Sequence, residues 1–165
     1  MLIILGGLPG SGKSSIAKEV ARITGAVYVR VDTIEQALLR SGEIGAGLHA
    51  AGYVVAYAVA RDNLRLGRTV IADSVNPIEE SRAAWLEVAR AAGVRALQVE
   101  LHCSDPVEHR RRVESRVADI DGHAPPSWDN VVTREYHPWT GAAIRLDTAA
   151  LSVEQCAARI AEACR

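Results

Sequence analysis

The chain has 165 residues, 48% of them hydrophobic and 24% charged, a composition that suits one folded domain and excludes a disordered chain. Its formal net charge of −1 excludes a strongly basic surface of the kind that binds duplex nucleic acid or an anionic membrane. We therefore predict a single domain over residues 1–165, with neither duplex nucleic acid nor a membrane as partner.

Cysteine usage and the N-terminal sequence both predict a cytoplasmic protein. The three cysteines are an odd number without metal-ligand or C-x-x-C spacing, which is typical of reduced thiols. The apolar run at residues 2–5 is too short for a signal peptide and far shorter than the roughly 20 residues of a membrane span.

Hydrophobic patterning predicts strands that alternate with helices along the chain. Strands are expected, in chain order, at residues 2–5, 26–31, 68–72, 94–102 and 142–147. Helices are expected from the first glycine loop to Gly25 and at residues 33–40, 48–66, 78–92, 106–118, 127–134 and 152–164. A loop before the helix at 48–66 is indicated by Ser41, Gly42, Gly45 and Gly47.

This alternation predicts an α/β fold. Right-handed crossovers between successive strands build a parallel sheet with helices on both faces. Ligands of such sheets bind at the carboxyl ends of the strands. A glycine loop after the first strand, Asp32 after the second and Asp73 after the third all lie at such ends, so we expect them to converge on one site.

Residues 7–14 match the phosphate-loop pattern G-x-x-x-x-G-K-[ST], and they lie between a predicted strand and a predicted helix as that mechanism requires. Backbone N–H groups of such a loop surround the β-phosphate, Lys13 bridges the β- and γ-phosphates, and Ser14 ligates Mg²⁺. The chain has only two lysines, so a lysine at this position is significant. The predicted nucleotide-binding residues are Gly7, Leu8, Pro9, Gly10, Ser11, Gly12, Lys13, Ser14 and Ser15.

Two absences narrow the class of nucleotide-binding protein. The chain has no N-K-x-D tetrapeptide, with which G-proteins recognise guanine. Its third strand closes in the single acid Asp73 followed by Ser74, whereas a translocating ATPase would close in paired acids. Phosphoryl transfer to a small molecule is the simplest interpretation.

Two aspartates are the candidate acids of such a reaction. Asp32 is predicted to orient or deprotonate the acceptor hydroxyl, although an aspartate before a helix is also a common N-cap. Asp73 is predicted to hold Mg²⁺, partly through water, or to contact the acceptor, although it is equally typical of a turn. Further candidate acceptor contacts are Arg30, Glu35, Asn76 and Arg82.

An arginine-rich segment predicts a lid over the phosphates, at about residues 109–126. His109, Arg112 and Arg116 have the spacing of one helical face, and a mobile element that brings arginine onto a transferring phosphoryl group is a recurring device. Arg112 and Arg116 are the expected participants. The alternative is a solvated basic face.

These residues together resemble small P-loop kinases grouped as AAA family ATPase-like proteins. The resemblance rests on the phosphate loop, the segments around Asp32 and Asp73, and the run from Cys103 into Arg112 and Arg116. The chain is similar to chloramphenicol phosphotransferase around Asp32, and to gluconate kinase and the polynucleotide kinase domain in layout. The resemblance implies a three-layer P-loop NTPase fold with a five-stranded sheet in order 2-3-1-4-5, ATP and Mg²⁺ as cofactors, Asp32 as catalytic carboxylate and an arginine lid.

One position departs from that resemblance. Polynucleotide-kinase-like proteins often carry Asp-x-x-Arg, whereas Glu35 occupies the arginine position here. An acid there disfavours a phosphorylated acceptor and suits a neutral or cationic hydroxyl compound.

We predict an ATP- and Mg²⁺-dependent phosphotransferase acting on a hydroxyl of a metabolite or antibiotic-like molecule. The alternatives are a nucleotide-dependent switch without an acceptor and a nucleic-acid 5′-hydroxyl kinase.

Overall fold

A computed structural model describes residues 1–42 and 50–165 of the chain. Strands and helices alternate along most of this sequence. In chain order they are β1 (Leu2–Gly6), α1 (Lys13–Thr24), β2 (Val27–Arg30), α2 (Val31–Ser41), α3 (Ala51–Arg65), β3 (Val70–Asp73), α4 (Glu79–Ala91), β4 (Ala96–His102), α5 (Pro106–Glu114), α6 (Trp128–Val132), β5 (Ile144–Asp147) and α7 (Val153–Ala163). None of these helices combines the length and apolar character of a membrane-spanning segment.

The strands form one five-stranded sheet in the order β2-β3-β1-β4-β5, and each neighbouring pair is parallel. The predicted α/β class, the parallel sheet and the strand order are therefore confirmed. In the register of the sheet, Asp73 lies opposite Leu5 of β1 and opposite Arg30 of β2. The ends of the three strands that carry the candidate site thus meet at one edge.

Helices cover both faces of the sheet. The side chains of β1 are all apolar, and they point alternately to the two faces. Leu2 and Ile4 pack in a core with residues of α3 and α4, including Trp85. Ile3 and Leu5 pack in a second core with residues of α1 and α7. All of β1 is buried, as expected for a central strand covered on both sides.

Two of the element boundaries that differ from the prediction affect the site. β2 ends at Arg30 and α2 begins at Val31, so Asp32 lies in the first turn of a helix rather than after a strand. α5 ends at Glu114 rather than near Ala118, so Arg116 lies beyond the helix. The chain turns away there, and Asp119 forms ion pairs with other parts of the molecule. The prediction that Arg116 shares one helical face with His109 and Arg112 is therefore wrong.

The predicted start of α5 agrees with the structure. Asp105 caps α5 by accepting hydrogen bonds from the backbone N–H groups of Val107 and Glu108, and Pro106 is the first helical residue. The predicted loop positions Gly45 and Gly47 and the predicted helix start at Leu48 lie outside the described residues.

Candidate active site

The phosphate loop connects the end of β1 to the start of α1. Gly7, Gly10 and Gly12 have φ values of 145°, 84° and 84°, which side chains rarely allow. Lys13 begins α1, and its Nζ donates a hydrogen bond to the carbonyl of Leu8 at 3.0 Å. The N–H groups around the loop lie at the N-terminus of α1, which is the arrangement that binds phosphate.

The ammonium group of Lys13 is buried, and this burial lowers its pKa to about 8, while the carboxylates of Asp73 and Asp32 act in the opposite direction. A buried positive charge of this kind is stabilised by an anionic ligand. The adjoining cavity measures about 370 Å³. It is lined by Gly10, Gly12, Lys13, Ser14, Ser15, Lys18, Arg112, Arg116, Val117 and Asp119. Its four basic side chains and the loop fit a triphosphate.

Asp73 ends β3 and is buried. Its Oδ2 accepts a hydrogen bond from the Tyr28 hydroxyl at 2.7 Å. Burial and the nearby Asp73 carboxylate raise the pKa of Tyr28, so this phenol stays protonated as a donor, and the hydroxyl of Ser14 lies beside it. Carboxylate and hydroxyl oxygens suit Mg²⁺, so the donors that meet here fit this ion.

Asp32 lies in the first turn of α2 but does not cap the helix, because the N-cap residue is Arg30 and no side chain hydrogen-bonds to that end. Its carboxylate is one-third exposed and lies 3.9 Å from the Arg30 guanidinium. The negative charge of Asp32 also acts to raise the pKa of Lys13. Asp32 therefore lies between the phosphate loop and a second cavity described below, where a carboxylate can meet an acceptor hydroxyl.

Arg30 is almost completely buried and points toward the lid region rather than into an open pocket. Its guanidinium donates two hydrogen bonds to Asp119, at 2.8 and 3.0 Å. Asp119 also pairs with Lys18 at 2.9 Å and lies 3.7 Å from Arg116. Sequence reasoning missed Asp119, whose only signal was a polar segment after the arginines.

Two predicted acceptor contacts are occupied by the protein itself. Arg82 donates four hydrogen bonds, to the carbonyls of Asn76, Pro77, His137 and Pro138. Asn76 is fully buried, and its Nδ2 donates to the carbonyl of Leu5 at 2.7 Å. Both side chains hold the loops after β3 and α6 against β1, and neither lines the second cavity. Their assignment as substrate contacts is therefore corrected to a structural one.

The arginine-bearing helix α5 is docked on the phosphate loop. His109 Nε2 is hydrogen-bonded to the carbonyl of Pro9 at 2.8 Å. Arg112 donates to the side chain and the carbonyl of Thr148, both at 2.9 Å, and to Glu108 at 2.7 Å. Arg116 reaches the phosphate cavity from the segment after the helix. A third cavity of about 290 Å³ continues past Arg112 and Ser15 to residues 148 and 151–153.

The second cavity, which we call the acceptor cavity, measures about 430 Å³. Among the described residues it is lined by Val31, Asp32, Glu35, Ala50, Tyr53, Tyr57, Val75, Pro77, Ile78, Glu80, Ser81 and Arg134. Asp32 and Glu35 were predicted from the sequence. Glu80 and Arg134 were missed, because each is one charged residue at the edge of an ordinary helix.

The sequence profile of the AAA domain family matches residues 2–126, so the chain belongs to this family. A shikimate kinase of Corynebacterium efficiens is 31% identical over 128 residues, which cover 68% of this chain and 76% of that protein. The uncharacterized protein Rv2004c of Mycobacterium tuberculosis is 34% identical over 119 residues. That match covers 65% of this chain, and the chain spans about a quarter of the relative's length.

Solved structures of kinases share the fold over almost the whole chain. A candidate kinase of Chloroflexus aurantiacus superposes with a TM-score of 0.76 at 18% identity, covering 99% of this chain and 94% of that one. The APS kinase CysC of Mycobacterium tuberculosis, solved with AMPPNP and APS, gives 0.69 at 20% identity, covering 98% and 95%. A gluconokinase of Sinorhizobium meliloti gives 0.65 at 22% identity, covering 98% and 94%. The chain thus has the fold of P-loop kinases.

Proposed function

We propose that the chain transfers the γ-phosphate of ATP to a hydroxyl group of a small molecule, with Mg²⁺ as the metal. The observation that carries this proposal is the position of Asp32, which lines the acceptor cavity and also acts electrostatically on Lys13 in the phosphate loop. A kinase needs a carboxylate placed between its phosphate site and the cavity that holds the acceptor hydroxyl, so that this carboxylate can act as the base.

In the proposed reaction, the acceptor oxygen attacks the γ-phosphorus while the bond from that phosphorus to the β,γ-bridging oxygen breaks. The proton of the hydroxyl passes to the Asp32 carboxylate, and ADP leaves. Lys13, Arg112 and Arg116 stabilise the charge on the transferring group. When bound, Mg²⁺ offsets further negative charge on the phosphates, and Ser14 and Asp73 would hold it.

The proposal also places the nucleoside part of ATP. The cavity beyond Arg112 shares Gly12, Ser15 and Arg112 with the phosphate cavity, so a ligand with its phosphates on the loop extends into it.

The test is a transfer screen with γ-labelled ATP, Mg²⁺ and pools of metabolites, antibiotics and 5′-hydroxyl oligonucleotides. We expect label in a small hydroxyl compound, its loss in Lys13→Ala, and a decrease of about 10²–10⁴-fold in kcat for Asp32→Asn with ATP binding retained. Asp62→Asn, on an exposed part of α3, is the matched control and should transfer at the wild-type rate.

Other outcomes contradict the proposal. Label only in oligonucleotides would identify a nucleic-acid kinase. Release of free phosphate at a rate that ignores every pool and the Asp32→Asn change would identify a nucleotide switch. An Asp32→Asn protein that binds ATP and transfers at the normal rate would remove Asp32 from the mechanism.

A further inference from the structure

We propose that the acceptor is a cationic alcohol, a hydroxyl compound that carries a protonated amine on an apolar or aromatic skeleton. This inference rests on the proposed function and concerns the same cavity. It follows from the charges, the aromatic walls and the position of Glu35.

The first step is the balance of charge in the acceptor cavity. The described residues contribute three carboxylates, those of Asp32, Glu35 and Glu80, and one guanidinium, that of Arg134. Glu80 and Arg134 are both exposed, which leaves Asp32 and Glu35 as the partly buried charges of the cavity. Arg30, 3.9 Å from Asp32, and Arg82 are positively charged but do not line the cavity. An excess of negative charge in a cavity with low-dielectric walls favours a positive ligand and disfavours an acid or a phosphate ester.

The second step is the state of Glu35. Among the described residues, this carboxylate makes no hydrogen bond or ion pair, and it is half-buried. Burial and the neighbouring Asp32 raise its pKa, whereas Arg134 acts in the opposite direction. A carboxylate in that environment is stabilised by an added cation.

The packing of the helices holds Glu35 in this position. α2 and α3 approach closely at Gly52, where an added Cβ would lie only 2.2 Å from Cγ of Glu35. The absence of a side chain at this position therefore makes room for the Glu35 side chain. The residue is part of the inter-helix packing and is less free to turn away than a surface glutamate.

The third step is the aromatic wall. Tyr53 and Tyr57 both line the cavity, with ring centroids 5.9 Å apart. Their hydroxyls are anchored, since Tyr57 donates to the carbonyl of Ser81 and Tyr53 accepts from the N–H of Asn76. Aromatic rings attract ammonium groups and also pack against carbon skeletons, as do the nearby Val31 and Ile78.

The two cavities therefore have opposite charge on either side of Asp32. Counting the described lining residues, the phosphate cavity has four basic side chains and one acid, and the acceptor cavity has three acids and one basic side chain. This difference directs the triphosphate to one side and a cationic acceptor to the other. It also brings an ammonium ion close to the transferring phosphoryl group, where positive charge is favourable.

The experiment uses matched alcohols that differ in one substituent: 2-amino-1-phenylethanol, 1-phenylethanol and mandelate, and likewise glucosamine, glucose and glucuronate. Binding of each is measured by calorimetry on the full chain with AMPPNP and Mg²⁺, and transfer is measured with γ-labelled ATP. We expect the amine to bind at least about tenfold more tightly than its neutral partner, and the acid least tightly. Glu35→Gln should remove most of this preference, and Glu79→Gln, a neighbour of Glu80 outside the cavity, should leave it unchanged.

The two readouts separate the inference from the proposed function. Equal or tighter binding of the neutral or acidic compounds, or no binding of any member, would overturn the cationic acceptor. An amine preference that Glu35→Gln leaves intact would overturn the role of this cavity. Amine-selective binding that depends on Glu35, without any label transfer, would support the inference and contradict the kinase reaction.

Discussion

The guanidinium of Arg30 and the carboxylate of Asp119 form a two-point hydrogen-bonded ion pair, with N–O distances of 2.8 and 3.0 Å. Arg30 ends β2, two residues before Asp32, and Asp119 follows the arginine-bearing helix α5. The pair therefore joins the candidate catalytic carboxylate to the segment that carries Arg116. Because the Arg30 side chain is only 4% exposed, its charge depends on this partner.

We expect Asp119→Asn to lower the free energy of unfolding by about 1–2 kcal/mol, since the amide keeps one acceptor but loses the charge, and Asp119 is itself partly exposed. The Arg30 and Lys18 partners hold the pKa of Asp119 well below its usual value. The stabilisation that the ionised Asp119 carboxylate gives the folded protein is therefore present above pH about 4 and is lost as the pH falls further. Urea unfolding at pH 7 and pH 3 measures both effects. Asp121→Asn, in an exposed pair with Arg40, should change neither value.

The same variant should bind nucleotide more tightly. Asp119 is the carboxylate that lines the phosphate cavity, and it neutralises Lys18 and approaches Arg116 there. Removing its charge leaves those cations for the triphosphate, so we expect an AMPPNP affinity about three- to tenfold higher, with a steeper salt dependence. Calorimetry at two salt concentrations tests this, and an affinity equal to or below that of the wild type would show that Asp119 does not compete with phosphate.

Binding of nucleotide should be coupled to proton uptake at Lys13. Burial lowers the pKa of this lysine to about 8 in the free protein, and phosphates favour its charged form. Above pH 8 the free protein has lost the proton that the complex needs, so affinity should fall by up to about tenfold per pH unit. Calorimetry at pH 9 in buffers of different ionisation enthalpy should show uptake of about one proton. Lys13→Arg keeps the charge at this pH and should abolish the uptake.

Sequence patterns predicted the parts of the candidate site that are local in the chain. The phosphate loop is contiguous, and Asp32 and Asp73 each stand next to a short apolar strand, so motif and periodicity were sufficient to propose them as candidates. The parallel sheet followed from the alternation of elements, because crossover handedness leaves few topologies.

The partners Asp119 and Thr148, which hold the predicted residues Arg30 and Arg112, depend on contacts between distant parts of the chain. Arg30 and Asp119 are 89 residues apart, and Arg112 and Thr148 are 36 apart. No local pattern distinguishes such residues from ordinary surface charges. The predicted α5 was also too long: the helix ends at Glu114, and the segment after it carries Asp119 to its ion pairs with Lys18 and Arg30.

Tyr28→Phe should affect both stability and metal dependence. The phenol donates to Asp73 at 2.7 Å, and its loss leaves a buried carboxylate oxygen without that donor, so we expect a loss of about 1–3 kcal/mol in unfolding free energy. If Asp73 holds Mg²⁺, the freed carboxylate is less well oriented, and the Mg²⁺ concentration that half-saturates AMPPNP binding should rise about threefold or more. Tyr57→Phe loses a hydrogen bond to the Ser81 carbonyl instead and should leave the Mg²⁺ dependence unchanged. An unchanged Mg²⁺ titration in Tyr28→Phe would place Asp73 outside the metal site.

Gly10 tests how closely α5 is docked on the phosphate loop. An added Cβ would lie 2.6 Å from Cγ2 of Val113 and 2.9 Å from Cδ2 of His109, in a residue that already has a positive φ of 84°. We therefore expect Gly10→Ala to strain the backbone and also to push α5 away from the loop. The affinity for AMPPNP should fall by about tenfold or more, because Arg112 and Arg116 move with the helix and its following segment.

Gly25 provides the matched control, because it has a φ of 69° but no atom within 4 Å of an added Cβ. Gly25→Ala should therefore cost only the backbone strain, about 1–2 kcal/mol, with nucleotide binding unchanged. The overpacking at Gly10 should add about 1–3 kcal/mol to that cost. Urea unfolding and calorimetry of the two variants measure the difference. Equal losses of stability, or a Gly10→Ala protein with normal AMPPNP affinity, would show that contact between α5 and the loop does not control the nucleotide site.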